Sequence, residues 1–377
     1  MNIVFVIDTY NDSGGGSIAT KRLVDELKKR GHSINIIAAI HENQDDPNFF
    51  EVPGFVMPIG RDIQTFMNFY FGKNKKSVFL KAMQGADIIQ IQYPFLLAKG
   101  ASKMAKKLNI PVIGAFHIQP QNILLGLGKN SKTLEKLIWR VFKHFLFNRV
   151  DTIVAPSPLA SQLLISNRVR ANVISISNGI TSEYVRRKFE KPRWFRNHFV
   201  ILSVGRHASE KRHGLIIEGI KKSKYSRDIQ LILAGRGELT SELKFQGSTL
   251  PIQPIIEYIS DADKLLYLNT ADLYIHASNI ELESLSTAEA IGCGLPSLIS
   301  NSVFSAASQF AIDHRFLFNA DNCDDLAAKI NYWYENRSEL NSYEMHAKAQ
   351  CIANKFQIDD SIDKFEHLYK VITQKNK

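Results

Sequence analysis

Cysteine is scarce in this sequence. Only Cys293, Cys323 and Cys351 occur in 377 residues, and no two have a paired spacing. That excludes a disulfide framework or a cysteine-rich zinc cluster, and it suits a reducing cytoplasm. Long hydrophobic runs are missing too. The longest, such as residues 110–116, fall far short of the roughly 18 residues a membrane-spanning helix needs. Asp8 interrupts the first apolar stretch and no basic segment precedes it, so no secretory signal is read. Low-complexity tracts and short repeats are absent, which sets aside fibrous and disordered classes. Acidic residues are in short supply in one half only. Residues 1–180 hold 12 Asp and Glu against 22 Lys and Arg, whereas residues 181–377 hold 25 of each. Between residues 99 and 149, ten basic side chains meet one acid, Glu135. Such a one-sided face points to an anionic partner or to a solvated surface that keeps the protein soluble.

What is present is ordinary globular material, 45% hydrophobic and 22% charged, long enough for two or three domains of about 150 residues. The opening reads strand, glycine turn, helix. An apolar run (1–8) leads through Asn11 to Ser17 into an amphipathic helix closed by Gly31. Further apolar runs follow at 34–40, 86–92, 110–116, 151–157 and 172–177, with helical stretches between most of them. Continuous apolar strands alternating with helices indicate a parallel sheet covered on both faces. The alternation restarts at 199–205 and continues at 229–235, 271–277 and 295–300. The polar, basic segment 181–197 reads as a linker. The expected fold is therefore α/β, with two doubly wound domains facing each other across a cleft. The first spans 1–180, the second spans 198–358, and a final helix lies over 359–373.

Ligands of open parallel sheets bind beyond the carboxyl ends of the strands, so residues there carry most weight. Gly15 and Gly16 sit between the first strand and first helix. There a ligand phosphate could approach backbone N–H groups, although the same residues also make a simple turn. The spacing is not that of a dinucleotide site, so a nicotinamide dehydrogenase fits poorly. In the second domain a strand end carries Arg206 and Lys211, two cations able to neutralise a diphosphate without a metal. Glu281, then Ser284, Leu285 and Ser286 at a helix start, and then Glu289 follow in order. They offer a carboxylate for sugar hydroxyls, backbone donors for a phosphate, and a second carboxylate for ribose hydroxyls. An acidic helix start favoured by its dipole is the plainer reading of the same residues. A basic stretch at 131–149 interleaves Leu134, Leu137, Ile138, Trp139, Phe142 and Phe145 with Lys132, Lys136, Arg140 and Lys143. Such a helix can lie in an anionic bilayer interface or simply face a core.

Taken together and in order, these residues resemble the family 4 retaining glycosyltransferases. The resemblance rests on Gly205-Arg206 with Lys211, the Glu281/Glu289 pair, Gly292 to Pro296, Ser177-Asn178-Gly179, Gly15-Gly16 and Gly31-His32. Tyr93 to Leu97, Phe116 to Pro120 and Ile299 to Ala306 further resemble the branch of bacterial cholesterol and diacylglycerol α-glucosyltransferases. The resemblance implies the GT-B architecture, with the last helix crossing back to the first domain. It implies a nucleotide-sugar donor, by resemblance UDP-glucose, bound mainly by the second domain. The acceptor would be a membrane lipid met by the first domain, on the cytoplasmic face of the membrane. Carried over by position, His117 would hold the donor sugar or acceptor, Arg206 and Lys211 the leaving diphosphate, Glu281 the sugar and Glu289 the ribose. No metal, other cofactor or nucleic acid is expected. His32 is read as structural, and His207, His213 and His276 have weaker claims. Two departures stand out. Glu283-Ser284 replaces a common Phe-Gly, which leaves open whether Glu281 or Glu283 meets the sugar, and Arg236 stands where an acid is common. Rival readings are an enzyme extending a polyprenyl-diphosphate-linked saccharide, a nucleotide-sugar 2-epimerase, and a non-enzymatic membrane-docked binding protein.

Overall fold

The computed structural model describes the chain apart from residues 13, 40–45, 59–67, 196 and 376–377 and the side chain of Trp194. It divides into two compact units, Met1–Asn178 with Asp359–Lys377, and Gly179–Ile358. In the first unit, β1 (Asn2–Val6), β2 (Ser33–Ala39), β3 (Phe49–Val52), β4 (Ile88–Ile91), β5 (Val112–Ala115), β6 (Thr152–Ala155) and β7 (Asn172–Ser175) form one sheet. Its order is β3-β2-β1-β4-β5-β6-β7, and every pairing is parallel. In the second, β8 (Phe199–Val204), β9 (Ile229–Ala234), β10 (Ile255–Glu257), β11 (Leu273–His276), β12 (Ser297–Asn301) and β13 (Leu317–Asn319) repeat the pattern as β10-β9-β8-β11-β12-β13, again all parallel. The strand expected over 34–40 is therefore Ser33–Ala39, with residue 40 outside the described residues.

The central strands are apolar throughout because helices cover both faces. The described side chains of β4, β6, β9 and β11 are all buried. In each sheet the first strand has neighbours that lead to opposite faces: β1 lies between β2 and β4, and β8 lies between β9 and β11. Connections diverge there, and a crevice opens at the carboxyl ends of the strands. The helix α1 (Gly15–Lys29) follows β1 and buries Ala19, Thr20, Leu23, Val24 and Leu27, the spacing of a single helical face.

The segment 181–197 is not a free linker. Tyr184 and Phe195 are buried in a core cluster of the second unit, and Lys191 pairs with Asp272 at 3.0 Å. Aromatic residues within a polar, basic stretch anchor it to the adjacent sheet. The first unit is completed from the far end of the chain. Three further helices carry the argument: α2 (Lys132–Phe142), α3 (Leu285–Gly292) and α4 (Ile358–Lys375). In α4, Tyr369 donates its hydroxyl hydrogen to the buried Gln90 Oε1 of β4. Arg30, at the end of α1, pairs with Asp359 (3.2 Å), Asp363 and Glu366 (3.3 Å), and His32 Nε2 meets Glu366 Oε1 at 2.7 Å. His32 is thus part of the junction that seats this helix.

Both passages of the chain out of the second unit run side by side. Ile180 N–H donates to Phe356 O (2.7 Å), and Ile358 N–H donates to Ile180 O (3.0 Å). Gly179 occupies the left-handed region (φ 80°), and a Cβ there would lie 2.6 Å from Ile358 Cα. Gly179→Ala should therefore destabilise the protein by about 1–3 kcal/mol. Gly15→Ala, whose Cβ would meet open space, should change stability by no more than about 0.5 kcal/mol. Urea midpoints of the two variants, measured side by side, check this; equal midpoints would contradict it.

Candidate functional site

In the first unit, three adjacent strand ends deliver polar side chains to one place. Beyond β5, the half-buried His117 meets Gln92, which follows β4, with 2.8 Å between Nε2 and Gln92 Oε1. The His117 N–H donates in this pairing, leaving Nδ1 as an acceptor. Desolvation of the imidazole lowers its pKa to about 4, so it stays neutral at physiological pH. Gln92 Nε2 is fully buried and has no hydrogen-bond partner, an orphan donor beside His117 that a hydroxyl-bearing ligand would satisfy. Beyond β1, Gly14 N–H donates to Asp12 Oδ1 at 2.5 Å and α1 begins. Its first turn contains no acidic residue, so the free N–H groups keep their partial positive charge. Of the two glycines, Gly16 is the one that packing requires. A Cβ there would lie 2.5 Å from the Tyr93 hydroxyl and 2.9 Å from His117 Cβ, whereas Gly15 faces open space.

The second unit gathers the predicted cations and carboxylates at the carboxyl edge of its sheet. β8 ends at Val204, and the following loop brings Arg206 against Glu210 (2.5 Å) and Glu238 (3.3 Å). Lys211 forms an ion pair with Glu281, and His276 Nε2, at the end of β11, lies 3.5 Å from the same carboxylate. Burial alone would raise the Glu281 pKa, but the Lys211 ammonium and the His276 ring bring it down to about 2. Glu281 is therefore fixed as an anion. A short parallel pairing of Ile280–Glu281 with Phe304–Ser305 holds it in place.

Ser284 precedes α3 in the left-handed region (φ 82°), with its hydroxyl 2.8 Å from Thr287 Oγ1 and 3.3 Å from His276 Nε2. Half-buried Leu285 and Ser286 open the helix, whose first turn again lacks an acid. Glu289, one turn further, is buried, and its carboxylate lies 3.3 Å from Lys264 Nζ. Lys264 also lies over the Tyr184 ring. Glu283 is buried beside this group, whereas Glu281 is the carboxylate engaged by Lys211.

One expectation is corrected. Trp139 is not a membrane contact: it is 3% exposed and packs against Phe116, Phe142 and Phe147. The aromatic stripe of α2 is the side that faces the core. Lys143 begins a π-helical turn (Lys143–Phe147) and donates from Nζ to Asn167 O at 3.0 Å. Lys132, Lys136 and Arg140 remain exposed at i, i+4 spacing, beside Leu137 (52% exposed) and Val141 (38%). Among the described residues no group of three or more His, Cys, Asp or Glu side chains could hold a metal ion, and no helix is long and apolar enough to cross a membrane.

Two family models meet within the chain without overlap. The one described as Glycosyltransferase Family 4 matches residues 13–184, and the one described as Glycosyl transferases group 1 matches residues 185–350. The chain belongs to the family 4 glycosyltransferases. This glycosyltransferase is 25% identical to the alpha-monoglucosyldiacylglycerol synthase of Streptococcus pneumoniae, over 81% of this chain and 75% of the relative. It is 35% identical to the catalytic domain of the Helicobacter pylori cholesterol-alpha-glucosyltransferase over 42% of this chain and 99% of that one, with a TM-score of 0.39. The structure of Anabaena HepE in complex with UDP covers 98% of this chain and 100% of its own at 16% identity, with a TM-score of 0.74. The two parallel-sheet units are those of the GT-B architecture.

The glycosyltransferase holds several imidazoles in their neutral form. The His213 pKa lies well below its ordinary value because of burial, with further repulsion from His207, Lys211 and His276. The unfolded chain takes up a proton at each such ring near pH 6.5 that the folded chain refuses. Stability should therefore be fully present above that pH and fall as pH drops below it, by up to about 1.4 kcal/mol per pH unit for each ring. Urea midpoints between pH 7.5 and 5 should show this slope, and His213→Gln should flatten it. A slope unchanged by the substitution would contradict the assignment.

Proposed function

We propose that this glycosyltransferase moves a hexose, by resemblance glucose, from a UDP-linked donor to a hydroxyl of a membrane lipid, with retention at the anomeric carbon. The observation that carries the proposal is the cluster of Arg206, Lys211 and Glu281 beside the uncapped start of α3. Two cations and a helix N-terminus suit a departing diphosphate, and a carboxylate held ionised suits the hydroxyls of the transferred sugar. On this reading Arg206 and Lys211 neutralise the leaving group, so no metal is required. Leu285, Ser286 and the backbone at Ser284 donate to phosphate, and Glu289 accepts from the ribose. A leaving phosphate oxygen takes the acceptor proton. His117, neutral and paired with Gln92, holds a sugar or acceptor hydroxyl at its own half-site.

The lipid acceptor is supported by the name of the diacylglycerol-acting relative. The exposed row of Lys132, Lys136 and Arg140 flanked by Leu137 and Val141 supports a peripheral position on an anionic membrane face. The first unit then meets the acceptor, and the second binds the donor.

The deciding assay supplies labelled UDP-glucose or UDP-galactose with vesicles carrying diacylglycerol, sterol or a polyprenyl-linked saccharide. Label should enter diacylglycerol or sterol and persist in EDTA. Label entering only the polyprenyl-linked saccharide would replace the lipid acceptor with that one, and free sugar and nucleotide in every tube would favour hydrolysis or epimerisation. Lys211→Ala should lower turnover about 100-fold or more while the protein stays folded by circular dichroism. Each basic residue near an anionic surface contributes about 1 kcal/mol, so replacing Lys132, Lys136 and Arg140 with Glu should weaken vesicle binding by roughly 100-fold or more. Unchanged sedimentation with anionic vesicles would remove the helix from the membrane reading.

A further inference from the structure

The phosphate-facing cations are already occupied, and by unequal partners. Arg206 Nη2 donates to Glu210 Oε1 at 2.5 Å, and Nη1 donates to the two Glu238 oxygens at 3.4 and 3.3 Å. Glu210 is a fixed partner. It is buried, and its backbone carbonyl accepts from the Ser278 hydroxyl (2.9 Å) and Asn279 N–H (3.1 Å). Glu238 is different. Its contact is longer, its residue is exposed, and it lies on the loop after β9.

Charge makes that difference consequential. Two cations, Arg206 and Lys211, face three carboxylates, Glu210, Glu238 and Glu281. The imidazoles of His207, His213 and His276 add no charge, since burial holds all three below their ordinary pKa. Arg206 itself thus faces two carboxylates, Glu210 and Glu238, an arrangement that opposes a phosphate on the same guanidinium. One carboxylate has to leave, and Glu238 is the one not held from below.

We infer that Glu238 is a carboxylate latch that sits on Arg206 in place of a phosphate and is displaced when a nucleoside diphosphate binds. The inference rests on the reading of Arg206 as a diphosphate ligand. Displacement also reaches the backbone, because the latch loop is bonded to the loop of Arg206. His207 N–H donates to Arg236 O (3.1 Å), and Leu239 N–H donates to His207 O (3.0 Å). Glu238 therefore sets donor affinity without itself contacting donor.

The test is calorimetric binding of UDP to the full chain, comparing the parent, E238Q, R206Q and the double variant, each checked for folding by thermal melting. E238Q should bind UDP about five- to tenfold more tightly, the effect of removing one like charge near a partly exposed site. R206Q should bind it more weakly, and in that background E238Q should bring little further gain. Weaker or unchanged binding by E238Q, with R206Q impaired, overturns the latch and leaves the phosphate role of Arg206 standing. Unimpaired binding by R206Q overturns both.

Discussion

The second half-site depends on one ion pair, that of Lys211 with Glu281. Burial penalises the Glu281 charge, and the Lys211 ammonium holds that carboxylate in its ionised form. The pair fixes more than protonation. It ties the loop after β8 to the short strand pairing that carries Glu281, and His276 at the end of β11 braces the same carboxylate. Three separate stretches of chain thus converge on a single charge. Breaking such a pair leaves an uncompensated charge in a poorly solvated place, at a cost of about 3–5 kcal/mol where it stays buried. Chemistry and local order are inseparable there.

The two sheets solve the same problem with different side chains. In each, the fourth strand pairs with the first and ends on a polar residue buried at the switch point: Gln92 after β4, and His276 at the end of β11. Each then supports the residue nearest the proposed chemistry, His117 in one unit and Glu281 in the other. One support is a neutral amide and the other an imidazole kept largely neutral by burial. Both supply hydrogen bonds without adding a full charge beside a charged ligand.

Much of this was legible in the sequence, and the exceptions have physical reasons. Central strands announce themselves as unbroken apolar runs because they are covered on both faces. Edge strands are less legible: β3, β10 and β13 are short and only partly buried and escaped the reading, whereas the edge strand β7 was read at 172–177. The glycine turn, the cation pair and the carboxylates could be placed because chemistry of that kind gathers at strand ends. Gln92 could have been found by the same rule, as the polar residue closing the apolar run 86–92, and His276, given only a weaker claim, stands near the end of the run 271–277. Trp139 could not. A helical stripe of period 3.6 looks the same whether it faces lipid or a protein interior, and only the neighbouring Phe116 and Phe147 decide the matter. The segment 181–197 misled for a similar reason, since its polar composition hides two buried aromatic anchors.

The closing helix α4 has a consequence in time. Gln90 and Arg30 are made early, but their partners Tyr369, Asp363 and Glu366 are made only after the whole of the second unit. Throughout synthesis of the second unit the first sheet lacks one of its covering helices, with the polar Gln90 left uncovered on that face. The second unit, continuous in sequence, has no such wait. During translation the nascent chain therefore holds its earlier-made unit unfinished while its later-made unit can close, and that exposed face is the one a chaperone would meet.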